Sequence, residues 1–121
     1  MTQGTTAAQD RQTAGRDLQG LFAPRSIAVV GASRTPGSVG NAIMRNLLYG
    51  GYTGVVYPVN PKAKSILGIR CVERPSAIDD EVDLAVVVIP ATVVEKVVIE
   101  CADRGTRNFA VSYTHLRAHE T

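Results

Sequence analysis

Apolar positions along this chain fall into short unbroken runs separated by stretches with helical spacing. "SIAVVGA" (26–32) and "VDLAVVVIP" (82–90) are continuous and rich in β-branched residues, the pattern of parallel strands covered on both faces. "TGVVYPVNP" (53–61) predicts a second strand, with Pro58 marking its end because proline cannot donate to a central ladder. "GIRCV" (68–72) is a weaker third candidate, and "RNFAV" (107–111) begins a fifth strand after the strong fourth one. Between strands the period changes. Ile43, Met44, Leu47 and Leu48 recur as one face of a helix that Ser38 caps and Gly50 and Gly51 end. In "ATVVEKVVIECADRG" (91–105), Val93, Val94, Val97, Val98 and Cys101 share a face and Gly105 closes the helix. Valine favours strand by propensity, so spacing and length carry that assignment. "DLQGLFAP" (17–24) predicts a short helical turn that packs Leu18, Leu21 and Phe22 and stops before Pro24. Residues 1–17 lack large apolar side chains and are expected to form a disordered leader.

Strands alternating with helices, and no hairpin signal, predict an α/β fold: a Rossmann-like, doubly wound parallel sheet over residues 18–110. Right-handed crossovers place helices on both faces. A ligand then belongs at the carboxyl ends of the first and fourth strands, where the winding reverses.

That place is occupied by "GASRTPGSVG" (31–40). A strand runs into a loop holding Gly31, Gly37 and Gly40, with a helix behind it, and a helix N-terminus favours anions. A Walker A loop is excluded, because no lysine follows Gly37. The dinucleotide pattern GxGxxG is only half present, as Gly37-Ser38-Val39-Gly40. Its acidic partner at the end of the second strand is missing too: "VNPKAK" (59–64) offers Lys62 and Lys64 instead. A carboxylate there suits a free ribose, whereas lysines suit a ribose that carries a phosphate. NADP and coenzyme A both fit this requirement, and NAD fits it least.

Composition narrows the class. The 121 residues suffice for one domain. A net charge of +2 is too small to argue for nucleic acid or a membrane surface, and no apolar run approaches the roughly 20 residues of a membrane span. Cys71 and Cys101 lack metal-site or redox spacing, which leaves no expected metal and fits a reducing cytoplasm. The run Asp79, Asp80, Glu81, Asp83 reads as a solvated loop, and Lys62 and Lys64 alone would read as surface charges. Only the position of Lys62 at a strand end lifts it above that.

Three blocks in order, "LFAPRSIAVVGASRTPGSVGNAI", "GYTGVVYPVNPK" and "VDLAVVVIPA", resemble the CoA-binding domain of ADP-forming acyl-CoA synthetases, the acetate–CoA ligases. They are also similar to the N-terminal region of some protein lysine acetyltransferases and, more distantly, to the succinyl-CoA synthetase α subunit. The resemblance implies coenzyme A as the ligand. It implies that Ser33, Pro36, Gly37, Ser38, Val39 and Gly40 wrap the CoA phosphates, with Arg34 as an added bidentate contact. It places Asn60, Pro61 and Lys62 near the adenosine end, and Ile89, Pro90 and Ala91 along the pocket wall. It further implies a parent enzyme that passes through an acyl phosphate and a phosphohistidine, carried by domains such as an ATP-grasp domain, or an acetyltransferase domain in the alternative family. A stand-alone CoA- or nucleotide-sensing protein is a third reading. None of the three gives residues 18–110 a catalytic residue of their own.

"VSYTHLRAHET" (111–121) departs from the pattern. It is similar to the translation, in one frame, of a transposon adapter used in DNA library preparation. The expectation is therefore a domain incomplete at its C-terminus, with an open sheet edge that invites oligomerisation. His115 and His119, spaced like metal ligands on a helix, are set aside with this tail.

Overall fold

Strand β1 (Ser26–Val30) is the axis of the structure, and all five of its residues are buried. The computed structural model describes residues 22–112. On one flank β1 pairs in parallel with β2 (Val55–Val59). On the other it pairs with β5 (Leu84–Val87), which pairs in turn with β6 (Asn108–Val111). The order β2-β1-β5-β6 puts the reversal of winding between β1 and β5, as expected for a doubly wound sheet. Helix α1 (Val39–Tyr49) follows β1, and helix α2 (Ala91–Asp103) follows β5.

The two helices cover opposite faces, because successive side chains of a strand point to opposite sides. Ile27 and Val29 of β1 pack with Met44 of α1 and Leu84. Ala28 and Val30 pack with Val94 and Cys101 of α2 and with Ala85 and Val87. Both helix ends obey their local chemistry. The Ser38 hydroxyl accepts from the Asn41 amide at the head of α1. At the foot of α2, the Thr106 amide donates to the Cys101 carbonyl and Gly105 to that of Ala102, with Gly105 at φ +96, the paired bonds of a Schellman end.

Several expectations require correction. The weak third strand does not join the main sheet. Instead β3 (Ser65–Ile66) and β4 (Ile69–Arg70) form a small antiparallel hairpin. Its turn holds Leu67 at φ 51 and Gly68 at φ 84, the left-handed pair that a type I′ turn requires. Val72 then makes an isolated bridge to Val59. Pro58 lies inside β2, opposite Val29, and does not end it. It is tolerated because β2 flanks the sheet and residues 56, 58 and 60 turn their backbone groups away from β1. The Pro58 carbonyl accepts from Val72, and the Asn60 amide donates to the Val72 carbonyl. Phe22 is 79% exposed and does not pack, and Val93 stands out of the core at 41%. The acidic run is also more engaged than a solvated loop. Asp83 accepts from the Arg25 amide at 2.8 Å and pairs with its side chain, and Asp80 accepts from the Tyr57 hydroxyl. The leader, Leu18, Leu21, His115 and His119 lie outside the described residues. Among the described residues, no helix is long and apolar enough to cross a membrane.

Cys101 is 3% exposed, and burial, with Glu100 beside it, pushes its thiol from the ordinary 9.0 to about 11. The native state keeps this proton at pH values where the unfolded chain has lost it. The contribution to stability is therefore intact below about pH 9 and declines as pH rises toward 11. Urea midpoints measured at pH 8 and at pH 10.5 should fall more steeply in the wild type than in Cys101→Ala. Parallel declines would remove Cys101 as the cause.

Candidate functional site

The carboxyl ends of β1, β2 and β5 and the N-termini of both helices converge on one edge of the sheet. The loop from Gly31 to Ser38 is built by short polar side chains. The Ser33 hydroxyl accepts from the Thr35 amide, and its carbonyl accepts from the Asn41 side-chain amide at 3.0 Å. Ser38 donates its own hydroxyl to the Thr35 carbonyl at 2.8 Å while capping α1. Both serine hydroxyls are thus committed to holding the loop. With the Asn41 amide answered by Ser38, the amides of Val39 and Gly40 in the first turn have no acceptor within the helix, and a helix N-terminus suits an anion.

The three glycines of this loop have different reasons to be glycine. At Gly31 (φ +100) a Cβ would overlap the Val88 carbonyl oxygen, and at Gly40 it would overlap the Gly31 carbonyl oxygen. These two let β1, β5 and α1 approach each other. Gly37 stands at φ +87 with nothing within 4 Å of where its Cβ would lie. Its glycine keeps a left-handed turn and leaves open space above the loop.

Asn60, at the end of β2, ties this loop to the neighbouring connection. Its side-chain amide donates to the Ala32 carbonyl at 2.9 Å, and its oxygen accepts from the amides of Lys62 at 2.7 Å and Ala63 at 2.8 Å. Beside it opens a cleft of about 440 Å³ on the α2 face. Val30, Val59, Ile89 and Val97 give it apolar walls, and Gly31, Asn60 and Pro61 form its rim toward the loop. Of the residues expected at the site, Gly31, Asn60, Pro61 and Ile89 line this cleft. Ser33, Arg34, Pro36, Gly37, Ser38 and Val39 form the adjoining loop, and Gly40 packs beneath it. Pro90 and Ala91 sit exposed at the head of α2. Lys62 is exposed beyond the cleft.

Sequence reasoning missed the charged residues that line the cleft, Glu73, Arg74, Lys96 and Glu100, because each looks like an ordinary surface charge. It also missed Asn41, 6% exposed, whose only local signal was its place three residues after the N-cap. Cys71 belongs to the α1-face core, and burial raises its thiol pKa against the nearby charge of Arg34. It is not poised as a nucleophile.

These features agree with what the chain resembles. The model of a family described as a CoA binding domain matches residues 25–115. Acetate–CoA ligase (ADP-forming) II of Archaeoglobus fulgidus is 45% identical over 95 residues, which cover 78% of this chain and 14% of that enzyme. Among solved structures, the dinucleotide-forming acetyl-coenzyme A synthetase 1 of Ca. Korarchaeum cryptofilum superposes with a TM-score of 0.74 at 42% identity. That match covers 76% of this chain and 20% of that one. A conserved hypothetical protein of Pyrococcus furiosus superposes with a TM-score of 0.67 at 35% identity, covering 73% of this chain and 74% of the other. The chain therefore spans about one seventh of the curated ligase's length. The glycine loop, the apolar cleft beside it and the match over residues 25–115 identify the chain as a member of the CoA-binding domain family, whose ligand is coenzyme A.

Proposed function

We propose that this domain binds coenzyme A as part of an ADP-forming acyl-CoA ligase. The observation that carries the reading is the junction of two features at the switch point: a phosphate-type loop with open space at Gly37, and an apolar cleft that begins at the same loop. The Val39 and Gly40 amides and the dipole of α1 suit the diphosphate, and Arg34 stands on the same loop to add a charged contact. The cleft, walled by Val30, Val59, Ile89 and Val97, suits a flat adenine ring. Pro90 and Ala91, at the head of α2, border the path that the rest of the ligand would follow.

Coenzyme A brings the thiol that an acyl group is to join; the described residues bring a grip on its phosphates and nucleoside. Among them no His, Cys or carboxylate group is assembled as a metal site, and the role of this chain in the reaction is to bind and orient. The parent ligase would supply the acid, the ATP and the phosphohistidine from other domains.

Calorimetric titration with coenzyme A tests the reading directly. Lys62→Ala is expected to weaken binding by roughly tenfold, as loss of one charge-assisted phosphate contact does. Unchanged affinity would take Lys62 out of the site. The ligase assignment has its own test, a long DNA read across codon 110 of the source gene. A downstream ATP-grasp domain supports the ligase, and an acetyltransferase domain would replace it with the regulatory alternative. One observation favours a second reading, a stand-alone CoA-binding protein: the P. furiosus chain is matched over 74% of its own length, so this fold occurs in a chain of about domain size. A stop codon soon after codon 110 would favour that reading.

A further inference from the structure

We infer that Asn41 and Asn60 are positioning residues for the ligand's phosphates. From two different elements they hold the carbonyls of Ala32 and Ser33, so that the glycine loop meets an anion already shaped for it. This rests on the coenzyme A reading above, and it concerns residues that set the loop's geometry without touching the ligand.

Carbonyl oxygens carry partial negative charge, so a loop that holds an anion must keep its own carbonyls away from it. Between β1 and α1, three carbonyls are answered by donors inside the protein. The Asn60 side-chain amide donates to Ala32 at 2.9 Å and the Asn41 side-chain amide to Ser33 at 3.0 Å. Both the hydroxyl and the amide of Ser38 donate to Thr35. A fourth carbonyl, that of Gly31, lies against Gly40, where an added Cβ would overlap it. Arg34 falls between the fixed carbonyls of Ser33 and Thr35, so the backbone that carries its guanidinium is held on either side.

Thr35 is served by the cap of the helix that follows it, whereas Ala32 and Ser33 depend on asparagine side chains. Asn60 follows β2, 28 positions from Ala32, and Asn41 stands in the first turn of α1. The task needs an N–H, which neither an aspartate nor an apolar residue of that shape can give. Asn60 uses both ends of its amide, because its oxygen accepts from Lys62 and Ala63 and shapes the turn after β2. One residue thus fixes two connections that border the cleft. Ala32 is buried and Asn41 is 6% exposed, so water is poorly placed to replace these donors. Without them the two carbonyls are free to turn, and the loop has to be ordered at the moment of binding, at a cost in affinity.

Two variants separate this role from a purely structural one. Asn41→Ala keeps the Ser38 cap and favours the helix by propensity. Asn60→Ser keeps a hydroxyl that can accept from the Lys62 and Ala63 amides but is too short to reach the Ala32 carbonyl. Calorimetry on the 121-residue chain gives the affinity for coenzyme A, and mass spectrometry gives amide hydrogen exchange over residues 31–38. Each variant is expected to bind coenzyme A about three- to tenfold more weakly, the effect of losing one hydrogen bond. Exchange over 31–38 should quicken, while exchange in β1 and β5 and the urea midpoint stay close to wild type. Saturating coenzyme A should slow loop exchange by a larger factor in the variants, because the ligand then supplies the order that the asparagine no longer does. Wild-type affinity in both variants overturns the inference. Weaker binding with unchanged loop exchange overturns it too, since the asparagines would then act on the ligand directly. So does faster exchange throughout the sheet with a lower urea midpoint, which would make their role structural. A wild type that does not bind coenzyme A fails the underlying reading, and it is distinguishable because each of the other outcomes requires wild-type binding.

Discussion

Gly37→Val is expected to lower affinity for coenzyme A by more than a hundredfold in a protein that still folds. Two effects act together at this position. The backbone sits at φ +87, where a β-branched side chain is strained, and the side chain would enter the open space above the phosphate loop. Strain alone costs of order 1–3 kcal/mol, so a control for it is needed. Gly51 supplies one. It has φ +94 and nothing within 4 Å of an added Cβ, but lies past the foot of α1, away from the cleft. Gly51→Val should lose similar stability in urea yet bind coenzyme A normally. Equal loss of binding in both variants would mean that strain is responsible and that the space above Gly37 holds no ligand.

Gly31→Ala should produce the largest loss of stability of any substitution in the loop. The new methyl would meet the Val88 carbonyl oxygen, and φ +100 is itself unfavourable for alanine. Val88 is the residue that carries the ladder past β5, donating to the Val30 carbonyl at 2.7 Å, so it cannot retreat without breaking that bond. Strain and overpacking together suggest a cost of roughly 2–6 kcal/mol. A small domain has only about 5–15 kcal/mol to lose. Denaturation midpoints would measure the drop. A midpoint near that of the wild type would mean that β1 and β5 can separate at their ends, and that Gly31 is not the contact that sets their spacing.

The sheet and the loop were legible because their signals are local. The uninterrupted runs at 26–32 and 82–90 announce strands buried on both faces, and Ser38 announces the head of α1. The features that escaped depend on what lies beside them in space. Pro58 reads as a terminator unless β2 is known to flank the sheet with its outward backbone groups turned from β1. Leu67 gives no hint of a left-handed conformation, and only Gly68 beside it marks the turn. Arg74, Lys96 and Glu100 come from two segments more than twenty positions apart. They acquire meaning only when the crossover from β5 brings α2 beside the short 3₁₀ turn Pro75–Ala77. Asn60 was expected near the adenosine end of the ligand; it lines the cleft, and both ends of its amide are bonded within the protein.

The outward-facing proline of β2 has a consequence for assembly. On that flank Pro58 offers no N–H, its carbonyl is taken by Val72, and the Asn60 amide is taken as well. A foreign strand would find no regular row of groups there to match. The opposite flank ends on β6, with Ala110 and Val111 exposed. Among the described residues, the sheet can therefore take a further strand on that flank only. A strand from another molecule would then dock beside β6.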